Sequence, residues 1–252
     1  MKIKHLKPED PVYFFPKIES NASESDYPDG LIAIGGDLAS ERLLYAYRHG
    51  IFPWYSENEP IMWWSPNPRA VILPKEFHMS RSLAKRLRNE SWSFSLNKDF
   101  SNVICQCAKN RRDEGTWITS EMISAYQKLH HLGYAHSFEA WKNGVLAGGI
   151  YGIRLGGVFF GESMFSAAKD GSKVALSALV YSSKKNGIKM IDCQIESDHL
   201  QSLGMRALDR ADFLAKLKKY VTHKKVMPNW HFSTQSAILL TQLRDNNLNL
   251  DQ

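Results

Sequence analysis

An Asn143–Gly144 pair is the feature of this sequence that most limits how the chain can fold. The pair lies between residues 137–142 and 145–153, both of which are rich in strand-favouring side chains. Asn-Gly between two such runs is typical of a tight hairpin, because both residues adopt the positive φ that the turn requires. A Gly-Gly pair then turns the chain into an apolar run at 158–160. The sequence therefore predicts an antiparallel meander of three strands.

Helical patterns surround this meander, with apolar residues at helical spacing between start and stop signals. We predict helices at residues 40–49, 78–88, 99–109, 120–132 and 172–183, and further strands at 70–73 and 189–195. Ser40 is expected to cap the first helix and Gly50 to end it. A meander followed by a buried helix and another strand predicts an α+β protein with a mainly antiparallel sheet flanked by helices.

Changes in residue composition along the chain predict three parts. Residues 1–68 are rich in proline, glycine and aromatic side chains and predict a small, loop-rich N-terminal domain. Residues 69–234 carry the regular strands and helices of the main domain, and residues 235–252 form a polar tail.

Composition places the chain among water-soluble globular proteins, with 43% hydrophobic and 23% charged residues. No run approaches the roughly 18 apolar residues of a membrane span, and the N-terminus lacks the apolar core of a signal peptide. We therefore expect a cytoplasmic protein, by default a monomer, without membrane contact. Cys105, Cys107 and Cys193 are too few for a disulfide framework or a structural zinc site, so we expect free thiols, no metal and no cofactor.

A basic helix is the clearest candidate for contact with a polyanion, in a chain of net charge +6 and pI about 9.1. Arg81, Lys85 and Arg88 share one face of the stretch 78–88, and Leu83 and Leu87 anchor the other. Such a face can bind phosphates with release of counterions. A solvated helix face without a ligand explains the same pattern equally well.

Polar side chains near two apolar strands supply candidate chemistry. Glu162 is expected just past the strand at 158–160, and Asp192 and Gln194 lie on the strand at 189–195. Strand alternation predicts that Asp192 and Gln194 face one side and Cys193 the other. A carboxylate and an amide on one face can hold a polar reacting group, which favours group transfer.

Several longer motifs carry a family resemblance. They are Gly-Gly-Asp ending at 37, Gly-Ile-Phe-Pro-Trp ending at 54, Trp-Trp-Ser-Pro ending at 66, Gly-Thr-Trp-Ile-Thr ending at 119, Gly-Gly-Ile-Tyr-Gly at 148–152, Phe-Gly-Glu-Ser-Met-Phe-Ser at 160–166, Ser-Lys-Val-Ala-Leu at 172–176 and Ile-Asp-Cys-Gln at 191–194. In this order they resemble the leucyl/phenylalanyl-tRNA:protein transferases, over residues 30–232. The resemblance implies an acetyltransferase-like (GNAT) main domain.

The resemblance also implies an activity and its partners. Such an enzyme moves Leu or Phe, with Met as an open third donor, from charged tRNA to the N-terminal α-amine of proteins that begin with Arg or Lys. The product carries a degradation signal. Aminolysis of an activated ester needs no ATP, and positioning of amine and ester can itself lower the barrier by roughly 7–11 kcal/mol.

Site residues follow by matching the family's motifs. The implied catalytic residues are Asp192, Gln194 and Glu162. We expect Gln194 to orient the amine, Asp192, water or a ribose hydroxyl to take its proton, and Glu162 to hold the basic N-terminal residue. The implied contacts to the tRNA 3′ end and its adenosine are Trp54, Tyr47, Trp117 and Tyr126. The implied side-chain pocket is Met164, Phe165 and Leu176. For most of these apolar residues, an ordinary place in the core is an equal alternative.

Two other functions stay open at this stage. An acyl-CoA-dependent N-acetyltransferase would share the fold, but residues 165–172 hold one glycine where such enzymes cradle pyrophosphate. An RNA-binding module without catalysis would use the aromatic and basic residues and leave Glu162, Asp192 and Gln194 without a purpose.

Overall fold

The computed structural model describes residues 3–18, 30–109, 117–221, 230 and 232–235. The helices within these ranges are α1 Ser40–Arg48, α2 Arg81–Asn89, α3 Phe100–Lys109, α4 Ser120–His131, α5 Gly171–Lys185, α6 Asp198–Gln201 and α7 Arg210–Tyr220. The predicted tail at 235–252 lies outside the described residues, apart from its first residue.

Two sheets organise the described chain. The four-stranded sheet has the order β1-β2-β4-β3 and consists of β1 Lys4–Leu6, β2 Leu31–Gly35, β3 Phe52–Pro53 and β4 Met62–Trp64. The eight-stranded sheet has the order β11-β5-β10-β9-β8-β7-β6-β12 and consists of β5 Arg69–Ile72, β6 Trp92–Leu96, β7 Ala135–Lys142, β8 Val145–Leu155, β9 Val158–Ser166, β10 Met190–Gln194, β11 Arg206–Leu208 and β12 Ser233–Gln235.

The large sheet is mainly antiparallel, as predicted. Strands β7, β8 and β9 form the expected meander, and Asn143 and Gly144 have the expected positive φ of 51° and 78°. One neighbouring pair, β9 and β10, is parallel, because α5 carries the chain back to the starting edge between them. In the small sheet the pair β1 and β2 is likewise parallel.

Both faces of the large sheet are covered, which explains why β8 is buried along most of its length. On one face, apolar side chains of α2 and α5 pack on β6–β9 in a single cluster that includes Leu83, Leu176 and Phe159. On the other face, α1, α3, α4 and α7 pack in a second cluster that also contains residues of the small sheet, such as Trp63. The small sheet ends at Trp64 and the large sheet begins at Arg69, close to the domain boundary predicted at 68/69. Because one cluster joins them, their division into separate domains stays a prediction.

Local details differ from the sequence-based expectations. Ser40 does not cap α1: the cap position is Ala39, and Ser40 is the first residue of the helix and buried. The end of α1 is as expected, because Gly50 follows the helix with a φ of 76°. We assigned no element to the four strands of the small sheet, which lie in the part predicted to be loop-rich, or to β6, α6, β11, α7 and β12. The alternation of large apolar residues with serine in Trp92–Leu96 was a missed signal for β6. Among the described residues, no helix has the length and apolar character needed to cross a membrane.

The close approach of β8 to the start of α5 depends on glycine. A Cβ on Gly148 would overlap the backbone of Gly171, and one on Gly171 would overlap the backbone of Ala147. Because all of these contacts are to backbone atoms, no side-chain movement can relieve them. Two glycines therefore set how near α5 lies to the sheet.

Replacing Gly148 with alanine tests this packing. We expect Gly148→Ala to lower the free energy of unfolding by about 2–4 kcal/mol, because the helix must move away from the sheet. The measurement is urea unfolding followed by tryptophan fluorescence. Gly161→Ala is the control, since a Cβ there would make only ordinary contacts, the nearest at 3.5 Å to Asp192 O. Equal stability of the two variants would contradict the proposed close packing.

Candidate functional site

A cavity of about 380 Å³ lies where β9 and β10 run side by side, next to the chain that follows β3. Its wall is mainly apolar, with a few polar groups at one end. The side chains that line it include Phe52, Trp54, Trp117, Ile150, Glu162, Met164, Leu176, Ile191, Cys193, Gln194 and Glu196. The shape suits a small apolar group attached to a polar reacting centre.

Glu162 lies within β9, not past its end as we expected. The register between β8 and β9 shifts at Tyr151 and Gly152, so Glu162 occupies an extra position on the bulged strand. Its side chain is buried, and both oxygens accept hydrogen bonds. Tyr126 Oη donates to Oε2 over 2.8 Å, and Gln194 Nε2 donates to Oε1 over 3.0 Å.

A second tyrosine extends this hydrogen-bonded chain. The hydroxyl of Tyr47, on α1, makes a short hydrogen bond with the hydroxyl of Tyr126, on α4. Because Tyr126 donates to Glu162, its oxygen accepts from Tyr47. Burial raises the pKa of both phenols well above 10, so both hydroxyls keep their protons at neutral pH. The two rings are fully buried and expose no face on which a base could stack.

The environment of Glu162 raises its pKa to about 7. Burial is the largest cause, because it removes the water that stabilises the charged form, and the nearby Asp192 carboxylate acts in the same direction. The hydrogen-bonded tyrosine hydroxyls and the amide of Gln194 oppose the shift. The result is a carboxyl group that exchanges a proton near physiological pH.

Asp192 is part of a fully buried ion pair with Arg69. The guanidinium donates from Nε to Oδ1 over 2.8 Å and from Nη2 to Oδ2 over 2.7 Å. Arg69 Nη1 also donates to the Gly50 carbonyl over 3.1 Å, and the rings of Phe52 and Phe213 lie 4.8 and 4.7 Å from the guanidinium carbon. Both carboxylate oxygens of Asp192 are therefore occupied.

Gln194 breaks the strand alternation that we expected. Its φ is +65°, and the register between β10 and β5 shifts between Asp192 and Gln194. Its backbone N–H donates to Asp192 Oδ1 over 3.0 Å, which holds this unusual conformation. As a result, Cys193 and Gln194 both line the cavity. Burial raises the pKa of the Cys193 thiol well above its usual value, and the charge of Asp192 adds to the effect, so the thiol stays protonated.

Two tryptophans lie at the rim of the cavity. Trp54 is 40% exposed, and its backbone carbonyl accepts a hydrogen bond from Trp64 Nε1 over 2.7 Å. Its ring lies 5.7 Å from that of Trp64 at an angle of 59°. Trp117 is half-buried and also lines the cavity. Within the described ranges, no group of three or more His, Cys, Asp or Glu side chains is arranged to hold a metal ion.

Comparison with known proteins decides the family. A family model described as "Leucyl/phenylalanyl-tRNA protein transferase" matches residues 71–218, and one for the N-terminal domain of the same proteins matches residues 36–67. The chain belongs to the leucyl/phenylalanyl-tRNA protein transferase family. This confirms the family resemblance and the enzyme class predicted from the motifs.

Similar proteins carry the family's name, and the matches cover most of their length. The leucyl/phenylalanyl-tRNA–protein transferase of Azotobacter vinelandii is 51% identical over 85% of this chain and 92% of that protein. The one from Idiomarina loihiensis is 54% identical over 86% of this chain and 91% of that protein. A solved structure of L-PGS from Bacillus licheniformis is 12% identical with a TM-score of 0.38, over 88% of this chain and 74% of that chain.

The cavity of this transferase gathers six of the ten residues that the family motifs implied. Trp54, Trp117, Glu162, Met164, Leu176 and Gln194 line it. Phe165 does not: strand alternation turns it to the opposite face of the sheet, where it packs in the core with α3 and α4. Arg81, Lys85 and Arg88 are exposed on α2, which packs on the α5 side of the sheet. No local pattern points to Arg69 as a site residue, because its partner Asp192 is 123 positions away.

Glu162→Gln tests the titration of the buried carboxyl group. The ordinary pKa of 4.5 rises to about 7 on folding, so the folded state holds the proton more tightly. Protonated Glu162 therefore adds about 3 kcal/mol to the free energy of unfolding below pH 4.5. This contribution is lost as the pH rises through 7. The neutral amide avoids this loss. We expect Glu162→Gln to be the more stable protein at pH 8 and the advantage to disappear at pH 4.5.

The measurement for this variant is urea unfolding at several pH values. Glu59→Gln is the control, because Glu59 is an exposed carboxylate whose hydrogen bond is to the Ser56 backbone. A difference between wild type and Glu162→Gln that stays constant from pH 4.5 to 8 would contradict a raised pKa in the folded protein.

Asp192→Asn tests the ion pair. The substitution leaves the Arg69 guanidinium buried without a counter-charge, so we expect the free energy of unfolding to fall by about 3–5 kcal/mol. Urea unfolding at pH 7 measures it. As a comparison, Glu90→Gln weakens partly exposed ion pairs to Arg86 and Lys142 and should cost about 1 kcal/mol or less. An equal loss in the free energy of unfolding for the two variants would mean that the buried pair of Asp192 stabilises the fold no more than a partly exposed pair does.

Proposed function

We propose that this protein transfers Leu or Phe from charged tRNA to the N-terminal α-amine of proteins that begin with Arg or Lys, which marks them for degradation. The observation that carries the proposal is the Gln194–Glu162 pair at the polar end of an otherwise apolar cavity. In the reaction the amine nitrogen attacks the ester carbonyl carbon, an amide bond forms, and the ester bond to the ribose oxygen breaks. That oxygen leaves with a proton, and the amine loses one.

Gln194 and Glu162 are the groups that hold the attacking amine. The Gln194 carbonyl oxygen can accept from an amine N–H, because its amide nitrogen is already used on Glu162. Glu162, with a pKa of about 7, is suited to take up a proton at neutral pH. Asp192 is a poor proton acceptor, since Arg69 occupies both of its oxygens. We therefore assign Asp192 to positioning: it fixes Gln194 through the backbone.

Tyr47 and Tyr126 have a different role from the base stacking that the family motifs implied. Both rings are fully buried and their hydroxyls form the chain that ends on Glu162. We assign them to fixing the Glu162 carboxyl group. We assign base stacking to Trp54 and Trp117 at the rim instead. Stacking on an aromatic face contributes about 1–3 kcal/mol of binding free energy per base.

The apolar part of the cavity is suited to the transferred side chain. Met164 and Leu176 line it together with Ile150 and Ile191, which sequence reasoning did not single out. A thioether and branched aliphatic groups accept an unbranched Cβ, as in Leu, Phe and Met, and adapt to its shape. Phe165 supports the cavity from the core behind β9 rather than from its wall.

Negative charge at the cavity supports an acceptor protein whose N-terminal residue is basic. Glu196 is exposed and lines the cavity near Gln194, and Glu162 lies deeper. A carboxylate at the mouth favours the guanidinium or ammonium of an N-terminal Arg or Lys by charge-assisted hydrogen bonding.

We also propose that Arg81, Lys85 and Arg88 bind tRNA phosphates: all three are exposed, and within the described chain none pairs with a carboxylate.

The remaining proposals concern fold and setting. An antiparallel meander followed by a helix and a parallel strand, β7 to β10, supports an acetyltransferase-like main domain. Pyrophosphate binding at α5 is disfavoured, because the Asp170 carboxylate lies at the start of that helix and pairs with Arg86 over 2.9 Å. We propose a cytoplasmic monomer, since charged tRNA is made and used in the cytoplasm.

The test is transfer of labelled leucine from Leu-tRNA to a peptide that begins with Arg. We expect transfer to peptides beginning with Arg or Lys, little to a matched peptide beginning with Ala, and no labelling from acetyl-CoA. Gln194→Ala should lower kcat by about 10²–10⁴-fold. Cys193→Ser, which changes a neighbouring wall residue, is the control and should retain activity. Labelling from acetyl-CoA alone would contradict the proposal.

A further inference from the structure

A groove on the other side of α1 has the features of a second nucleic-acid contact. Its volume is about 570 Å³, and it lies between the segment 15–18, α1 and α7. The described lining residues are of three kinds: apolar side chains of the floor, stacked rings on one wall, and cations. None of them carries a carboxylate.

The rings form a short stack. Phe15 lies over Tyr45 with the ring centroids 6.2 Å apart and 10° between planes, and Tyr45 lies over His49 at 4.1 Å and 27°. His49 is exposed and Tyr45 is half-buried. The floor beneath is apolar, with Ile51 and Leu217 almost fully buried. Such a stack leaves its outer face available for a further planar ring.

Three cations line the groove. Lys17 and Lys218 are exposed, Arg48 is half-buried, and no carboxylate of the described chain lies within ion-pairing distance of them. They come from three separate segments, so the positive charge is concentrated by the fold rather than by a run in the sequence. Aromatic rings beside unpaired cations are the combination that binds a nucleic-acid strand, with bases on the rings and phosphates on the cations.

The groove and the cavity border the same stretch of chain. After α1, Ile51 lines the groove and the next residue, Phe52, lines the cavity. Within α1, Tyr45 and Arg48 line the groove, whereas Tyr47 is part of the hydrogen-bonded chain that ends at Glu162. We propose that this groove binds a part of the tRNA beyond its 3′ end, through phosphates on Arg48, Lys17 and Lys218 and a base on the ring stack. This inference rests on the proposed function.

The experiment compares two donors with the full-length protein: Leu-tRNA, and leucyl-adenosine, which contains only the terminal nucleoside. The variant is Arg48→Ala combined with Lys218→Ala. We expect the KM for Leu-tRNA to rise at least tenfold and the transfer rate from leucyl-adenosine to stay unchanged. We also expect the slope of log Kd for tRNA against log salt to fall by about 1–2, because each lost phosphate contact removes about 0.7–0.9.

Lys128→Ala in α4 is the matched control, because Lys128 is exposed, forms no ion pair with the described residues and lines neither cavity. A second measurement needs no variant: tRNA should slow chemical acetylation of Lys17 and Lys218 in the wild-type protein. An unchanged KM with unprotected lysines would overturn the groove proposal. Absence of transfer from either donor in the wild type would instead overturn the proposed function.

Discussion

The buried ion pair between Arg69 and Asp192 is the interaction on which the rest of the site depends. Arg69 is the first residue of β5, and its guanidinium binds the carboxylate of β10 and the carbonyl of Gly50 after α1. Phe52 and Phe213 enclose it. An ion pair removed from water stabilises a protein only when its geometry is good and its remaining hydrogen bonds are satisfied. These contacts meet that condition and tie β3, β5, β10 and α7 together.

The ion pair also determines how Gln194 is presented. A non-glycine residue with positive φ is uncommon and keeps that conformation only when its surroundings hold it. Here the carboxylate that Arg69 fixes accepts the backbone N–H of Gln194, and the side-chain amide then meets Glu162. Tyr126 fixes Glu162 from the opposite side. Hydrogen bonds within the protein therefore hold the polar groups of the cavity in place, which is what catalysis by positioning requires.

Local patterns in the sequence predicted most of the framework and only part of the site. The Asn143–Gly144 hairpin and α5 follow from turn chemistry and helical spacing, which act over a few residues. The alternation in Trp92–Leu96 was a usable signal for β6, and alternation also separates Met164 from Phe165. The partners of Glu162 could not be predicted, because Tyr126 and Gln194 lie 36 and 32 positions away. Bulges at Glu162 and Cys193 interrupt the strand alternation, so a period of two could not predict the directions of the side chains there.

Opposing effects on Glu162 give the proposed reaction an order. Burial favours the neutral acid, whereas the hydrogen bonds from tyrosine and glutamine favour the carboxylate, and the balance is a pKa of about 7. An apolar aminoacyl side chain in the cavity would displace water and favour the neutral form further. The positive charge of an N-terminal Arg or Lys beside Glu162 would act in the opposite direction and lower its pKa. Once the donor is bound, binding of the basic acceptor therefore raises the population of the carboxylate that can take a proton from the amine, so acceptor charge and proton transfer are coupled through one side chain.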